Sequence, residues 1–132
     1  MIVVDSSVWI DLLRDNPTPQ TVRLEQFLRE EQVTVGDLML AEVLQGIRSD
    51  RHFEEAQQMF GVFPVLTISG PELAVEAARN YRRLRVKGVT PRKTIDTLIA
   101  TRCITDGHAL LFSDRDFVPF VEHLGLVDAM GV

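Results

Sequence analysis

The chain has 132 residues, 45% of them hydrophobic and 25% charged, the proportions of one ordinary globular domain rather than a disordered chain. Its single cysteine, Cys103, excludes an intramolecular disulfide framework and a cysteine-based zinc site, and no apolar run approaches the ~18 residues of a membrane helix; with no basic region before Ile2-Val3-Val4 to suggest a signal peptide, a cytoplasmic location off the membrane is expected. The formal charge of −5, from 14 Lys and Arg against 19 Asp and Glu, taken alone speaks against a nucleic-acid partner.

Short apolar runs alternate with amphipathic segments of helical length, the pattern of one α/β domain over residues 1–132. Residues 2–5 read as a buried parallel strand. Ser6-Ser7 offers an N-cap for a short helix that stops near Asn16-Pro17. Residues 18–31 read as a second helix, with Leu24, Phe27 and Leu28 on one face. Residues 33–36 form a second strand, and Asp37 can cap a helix running to about Arg48. A helix over about 50–60 carries Phe53, Ala56, Met59 and Phe60, and residues 64–68 form a third strand. Helix 71–86 starts on Pro71 and stops before Gly88, where a C-terminal glycine belongs. A helix over about 94–105, a strand over 109–112, a short helix around 116–123 and an edge strand near 126–128 complete the chain. The expectation is a three-layer α/β/α domain with a mostly parallel sheet of about five strands joined by right-handed crossovers.

In such a sheet, ligands bind outside the carboxyl ends of the strands. Asp5 ends the first strand, and Asp114 and Asp116 follow the fourth. Asp96 lies in the first turn of helix 94–105, and Glu42 one turn into the helix after the second strand. Each has a plain structural reading: Asp5, Asp114 and Asp116 as caps, Asp96 as a first-turn acid favoured by the helix dipole. Glu42 is harder to read that way. It stands among Leu38, Met39, Leu40, Val43, Leu44 and Ile47 with no basic residue before Arg48, and a buried carboxylate needs a partner.

Acids converging on one sheet edge raise one another's pKa, and a divalent cation relieves the repulsion. Oxygen ligands alone, with no cysteine and no paired histidines, point to Mg2+ or Mn2+ rather than zinc; His52, His108 and His123 are read as surface or turn residues. A phospho-accepting receiver would want an acid at the end of the third strand, which reads Val65-Leu66-Thr67-Ile68. An aspartyl phosphatase would want Asp-x-Asp where the chain has Asp5-Ser6-Ser7. Phosphodiester hydrolysis by metal-activated water is left as the leading chemistry.

Four stretches carry a resemblance. They are Val3-Val4-Asp5-Ser6-Ser7-Val8-Trp9-Ile10-Asp11, Leu40-Ala41-Glu42-Val43-Leu44-Gln45-Gly46, Arg92-Lys93-Thr94-Ile95-Asp96-Thr97-Leu98-Ile99-Ala100 and Leu110-Leu111-Phe112-Ser113-Asp114-Arg115-Asp116-Phe117. In this order they resemble PIN-domain ribonucleases of the VapC toxin type. The resemblance runs from residue 3 to residue 117. It implies a five-stranded parallel sheet and a Mg2+- or Mn2+-dependent endoribonuclease, a homodimer, and a cognate VapB-like antitoxin whose C-terminal segment covers the active site. By position, Asp5 and Asp96 match the main metal ligands and Asp114 the fourth acid; the clustered acids suggest that Asp114 supports the ion directly or through water while Glu42 orients or deprotonates the attacking water. Glu42 matches the acid of the second block, and Asp116 an accessory acid. Ser7 matches the small polar residue beside the first aspartate. Phe112 and Ser113 depart from the pattern: many members carry Thr or His at the first position, and Asn or Arg at the second. Products with a 5′-phosphate and a 3′-hydroxyl are implied.

RNA would have to approach an acidic pocket, and seven of the 14 basic residues fall between Arg79 and Lys93. Arg79, Arg82 and Arg83 share a helix face, and Arg92 and Lys93 lie just before Asp96. They read either as a solvated face or as a phosphate-contacting rim. Trp9 and Tyr81 read as core. The apolar excess on residues 38–47, with Phe53, Met59 and Phe60, suits a dimer interface. Two other readings stay open: a non-catalytic binding module that keeps the fold, and a metal-dependent nuclease acting on DNA or other phosphoesters. If ionised, Asp5, Glu42, Asp96, Asp114 and Asp116 carry the whole formal charge and leave the rest of the chain neutral.

Overall fold

A computed structural model describes all 132 residues. The elements in chain order are β1 (Ile2–Val4), α1 (Ser6–Leu13), α2 (Pro19–Arg29), β2 (Val33–Gly36), α3 (Asp37–Gln45), α4 (Asp50–Phe60), β3 (Val65–Leu66), α5 (Pro71–Val86), α6 (Thr94–Asp106), β4 (Ala109–Leu111), α7 (Val118–Leu124) and β5 (Val127–Asp128). Single 3-10 turns cover Arg115–Phe117 and Ala129–Gly131. The sheet order is β3-β2-β1-β4-β5, and every pair is parallel. No helix is long and apolar enough to cross a membrane.

Strand alternation sends the core to both faces. Ile2, Val4, Val33, Val35, Ala109 and Leu111 pack on one side with Trp9, Leu24, Phe27, Val43 and Phe60. Val3 and Leu110 pack on the other with Ile68, Leu84, Ile99, Cys103, Phe117 and Phe120. Because both faces are covered, the strands read as continuous apolar runs rather than alternating ones. The expected three-layer α/β/α architecture is therefore present.

Several boundaries differ from the sequence reading. The cap of α1 is Asp5 rather than Ser6 or Ser7: the Asp5 side chain accepts from the Ser7 backbone N–H. α1 stops at Leu13, before Asn16-Pro17, and Asp15 beyond it has φ 54°. α2 is shorter than expected, fixed at its start by a capping box in which Thr18 and Thr21 exchange side-chain and backbone bonds. The cap of α3 is Gly36, and Asp37 is already helical. Asp37 Oδ1 instead accepts from the backbone N–H groups of Leu38 and Ile68, both at 2.9 Å. That bond takes the Ile68 N–H out of any ladder, so the third strand shrinks to two residues and Ile68 turns into the core. A Cβ on Gly36 would lie 2.8 Å from Ile68 Cδ1 and from Met39 Cε, so a side chain there would push the ends of these two core residues aside. α3 ends at Gln45 rather than Arg48.

Trp9 is buried and meets Phe60 edge-on at 5.0 Å between ring centroids. Phe60 is thereby committed to the core and is not free for a dimer surface. Tyr81 is half-buried on α5, with Arg85 over its ring at 5.9 Å.

The chain moves outward from β1 through β2 to β3, then returns to place β4 on the opposite side of β1. The order reverses between β1 and β4, and a crevice at the carboxyl ends of those two strands follows from that reversal.

Candidate functional site

Asp5 sits at that crevice. Its backbone N–H donates to the Leu111 carbonyl, which holds the end of β1 against the end of β4. Its Oδ2 accepts the Ser7 hydroxyl at 2.7 Å and, more weakly, the Ser7 backbone N–H at 3.4 Å. Burial pushes the Asp5 carboxyl up; the Ser7 bonds and the Ser6 backbone N–H oppose the rise, and Asp114 adds to it. One side chain is thus both the helix cap and a member of the acidic site. The cap reading and the site reading of Asp5 are compatible because Ser7 engages one oxygen.

Asp114 divides its oxygens in the same way. Oδ1 caps the following 3-10 turn through the Asp116 N–H at 2.9 Å, and Oδ2 lies 3.9 Å from Lys93 Nζ. Both oxygens of Asp116 accept from Arg92 Nη2, at 3.1 and 3.0 Å. Asp96 stands in the first turn of α6 and is buried, with Oδ2 sealed from solvent and without a hydrogen-bond partner. Burial, followed by the charge of Asp5, pushes its carboxyl up to about 6; Lys93 opposes this, and Asp114 and Asp116 add to it.

Glu42, half-buried on α3, completes the group. Its Oε1 is also sealed and unpartnered. Burial and the charge of Asp5 raise its pKa, against the Ser6 hydroxyl and Lys93. α3 is not buried all round; only Met39 and Val43 are fully inside.

The acids named from the sequence therefore act on one another at a single sheet edge. Carboxylate oxygens of Asp96, Asp114 and Asp116 lie within 4.8 Å of one another. The sequence reading placed Asp5 in the ligand set and gave Asp116 an accessory place; the tightest convergence has Asp116 in it. Fixed acidic oxygens, including one sealed and unpartnered on Asp96, form a donor set that a hard divalent cation satisfies. A cavity of about 240 Å3 opens beside them, lined in part by Arg92, Asp96, Arg115 and Asp116.

The cations separate into two groups. Arg92 and Lys93 reach the acids. Arg79 and Arg83 pair instead with Glu76 on their own helix, at 3.2 and 3.0 Å, and hold its carboxyl below the usual range. Arg82 is exposed and makes no ion pair. Phe112 is buried against Phe117, whereas Ser113 is exposed beside Asp114. Ser6 and Arg115 were not singled out as site residues from the sequence. Ser6 looks like a simple cap beside Asp5, and Arg115 is one charge between two aspartates. A larger cleft, about 480 Å3, lies between α1, α3 and α4 and contains none of the acids.

The model of the PIN domain family matches residues 2–120. This chain belongs to the PIN domain family. The PIN domain is 28% identical over 119 residues, 89% of each chain, to VapC ribonuclease Mb1587 of Mycobacterium bovis, and equally to ribonuclease VapC11 of Mycobacterium tuberculosis. Among solved structures it is similar to VapBC2 from Rickettsia felis bound to a promoter DNA fragment, with TM-score 0.72, 17% identity and 96% of each chain covered. It is likewise similar to FitAcB from Neisseria gonorrhoeae, with TM-score 0.73, 18% identity and both chains fully covered. At these identities the solved structures speak for the fold of the PIN domain.

Proposed function

We propose that this PIN domain is a metal-dependent endoribonuclease and the toxic member of a toxin–antitoxin pair. The observation that carries the reading is the group of five mutually repelling carboxylates at the strand-order reversal, with Asp96 Oδ2 and Glu42 Oε1 sealed and unpartnered. Similarity to the VapC ribonucleases supports RNA as the substrate. The solved VapBC2 neighbour, together with those relatives, supports an antitoxin partner.

Asp96, Asp114 and Asp116 would hold a Mg2+ or Mn2+ ion, with Asp5 beside them, oriented by Ser7. Such an ion supplies a water of lowered pKa and offsets charge building on the phosphate. Glu42 is the base: burial and the charge of Asp5 raise the pKa of its carboxyl, which suits it to take a proton from attacking water. Arg92 and Lys93, with Ser113 and Arg115 at the rim, bind the phosphates of the strand. Arg79 and Arg83, tied to Glu76, are less available for that work. The cleft lined by Ile10, Leu13, Val43, Ile47 and Met59 is the surface we assign to a second copy of the chain, because the apolar excess of residues 38–47 and Met59 opens there.

The test is cleavage of end-labelled RNA by purified protein with Mg2+, Mn2+ or EDTA, beside single-stranded DNA and a generic phosphodiester. The expected result is metal-dependent cleavage of RNA that leaves 5′-phosphate ends and is lost in Asp96→Asn. Cleavage of DNA alone moves the substrate assignment. Undiminished cleavage by the variant removes the acids from the reaction.

A further inference from the structure

Two adjacent residues hold two members of the acidic cluster. Arg92 Nη2 bonds both oxygens of Asp116, and Lys93 Nζ faces Asp114 Oδ2 at 3.9 Å. Asp114 and Asp116 are two of the three carboxylates that converge. Both cations are well exposed, with side chains 75% and 56% accessible, whereas Asp116 and Asp114 are 24% and 32% accessible. The carboxylates are thus the fixed partners and the cations the mobile ones. Exposed pairs of this kind are weak and exchange readily. Lys93 is the cap residue of α6, in extended conformation, and Arg92 precedes it; neither backbone position need move for either side chain to swing away. The lining of the 240 Å3 cavity includes Arg92 itself, so a displaced guanidinium stays at the mouth.

We infer that Arg92 and Lys93 are built-in stand-ins for the divalent cation: they neutralise Asp116 and Asp114 while the centre is empty, are displaced when an ion binds, and then turn to the phosphates of the incoming strand. The inference rests on the metal-site reading above and adds an exchange to it. Lys93 also lowers the proton affinity of Asp96 and Glu42, so its charge is felt by acids on both α3 and α6. The groups facing it are Glu42, Asp96 and Asp114, with Asp116 under Arg92. Exchange has a functional sense. Without these cations the empty site would present several uncompensated carboxylates to an approaching polyanion. With them, the positive charge that shields the acids becomes the charge that positions the substrate.

The experiment compares wild type, Arg92→Gln/Lys93→Met, and a charge-matched control, Arg29→Gln/Arg51→Gln, at exposed positions on α2 and α4 outside both cavities. Mn2+ binding is measured by titration calorimetry on the intact protein. Affinity for a labelled RNA oligonucleotide is measured by anisotropy in Ca2+ across a salt series. The site variant is expected to bind Mn2+ about three- to tenfold more tightly than wild type, the range set by losing two partly exposed ion pairs. It should bind RNA more weakly, with a salt slope shallower by about 1.4 for a single-stranded oligonucleotide. The control should leave both near wild type. Equal Mn2+ affinity in wild type and site variant overturns the inference while leaving the metal reading intact. So does equal tightening by the control, which would make the effect one of net charge. Unchanged RNA affinity overturns the handover to phosphate. Absence of Mn2+ binding in all three proteins refutes the metal reading, and this inference with it.

Discussion

Replacing Asp96 by Asn should stabilise the metal-free protein at neutral pH while abolishing its chemistry. The Asp96 carboxyl titrates near 6 rather than 3.8 because it is buried and faces Asp5. Each pKa unit is worth about 1.4 kcal/mol, so keeping this group ionised in the folded state costs about 3 kcal/mol at most. Solvent screening around the cluster brings the expected value to about 2 kcal/mol. The sign follows from proton binding. Between about pH 4 and pH 6 the folded state holds a proton that the unfolded chain has released, so this group's contribution to stability falls as pH rises through that window and stays low above it. Asn carries no charge and escapes the penalty. At about 4 °C per kcal/mol for a domain of this size, Asp96→Asn should melt about 8 °C above wild type in EDTA at about pH 7.5, and level with it at about pH 4. Circular-dichroism melts of both proteins at both pH values measure this directly. Saturating Mn2+ should raise the melting temperature of wild type and leave the variant unmoved. A variant that melts at or below wild type at neutral pH refutes the reasoning, as does a gain that persists in acid.

Two further outcomes are expected. Ser7→Ala removes the 2.7 Å bond to Asp5 Oδ2; it should weaken Mn2+ binding and RNA cleavage by about ten- to a hundredfold, with recovery in Ser7→Thr, and unchanged titration and rates would leave Ser7 as a plain helix-start residue. Trp9→Ala empties a site packed on Phe60 and should cost about 3–5 kcal/mol in denaturant unfolding. Trp9→Phe should cost far less because it also removes the sealed, unpartnered Nε1, and equal losses in the two variants would contradict that account.

The two-sided core and the placement of the acids were legible in the sequence because apolar runs and strand ends are local properties. Val3 and Val4 next to Asp5, or Leu110 and Leu111 before Asp114, announce a buried strand and what stands at its carboxyl end. What escaped depended on side-chain direction. The 2.9 Å bond from Ile68 to Asp37 shortens β3, and it joins residues 31 apart. The pairing of Arg92 with Asp116 spans 24 positions. Asp116 rather than Asp5 joins the tightest carboxylate group because the 3-10 turn after Asp114 swings it inward, and turns of three residues leave little trace in periodicity. The pairing of Arg79 with Glu76 is different: its i, i+3 spacing is on view in the sequence, and the pair agrees with the solvated-face reading of that helix.

The Asp5 N–H to Leu111 carbonyl bond has a consequence for timing. The first strand is made first, yet the neighbour that completes its catalytic edge lies more than a hundred residues later, and Asp114 and Asp116 come later still. A ribosome that has delivered the first hundred residues has delivered Asp5, Glu42 and Asp96 without the strand that closes the crevice between them. Until nearly all of the chain has emerged, these acids lack the strand that holds them together, and a product truncated before β4 never gains it. On the function proposed above, this order of assembly keeps the acids apart while the messenger and the ribosome are still beside the chain.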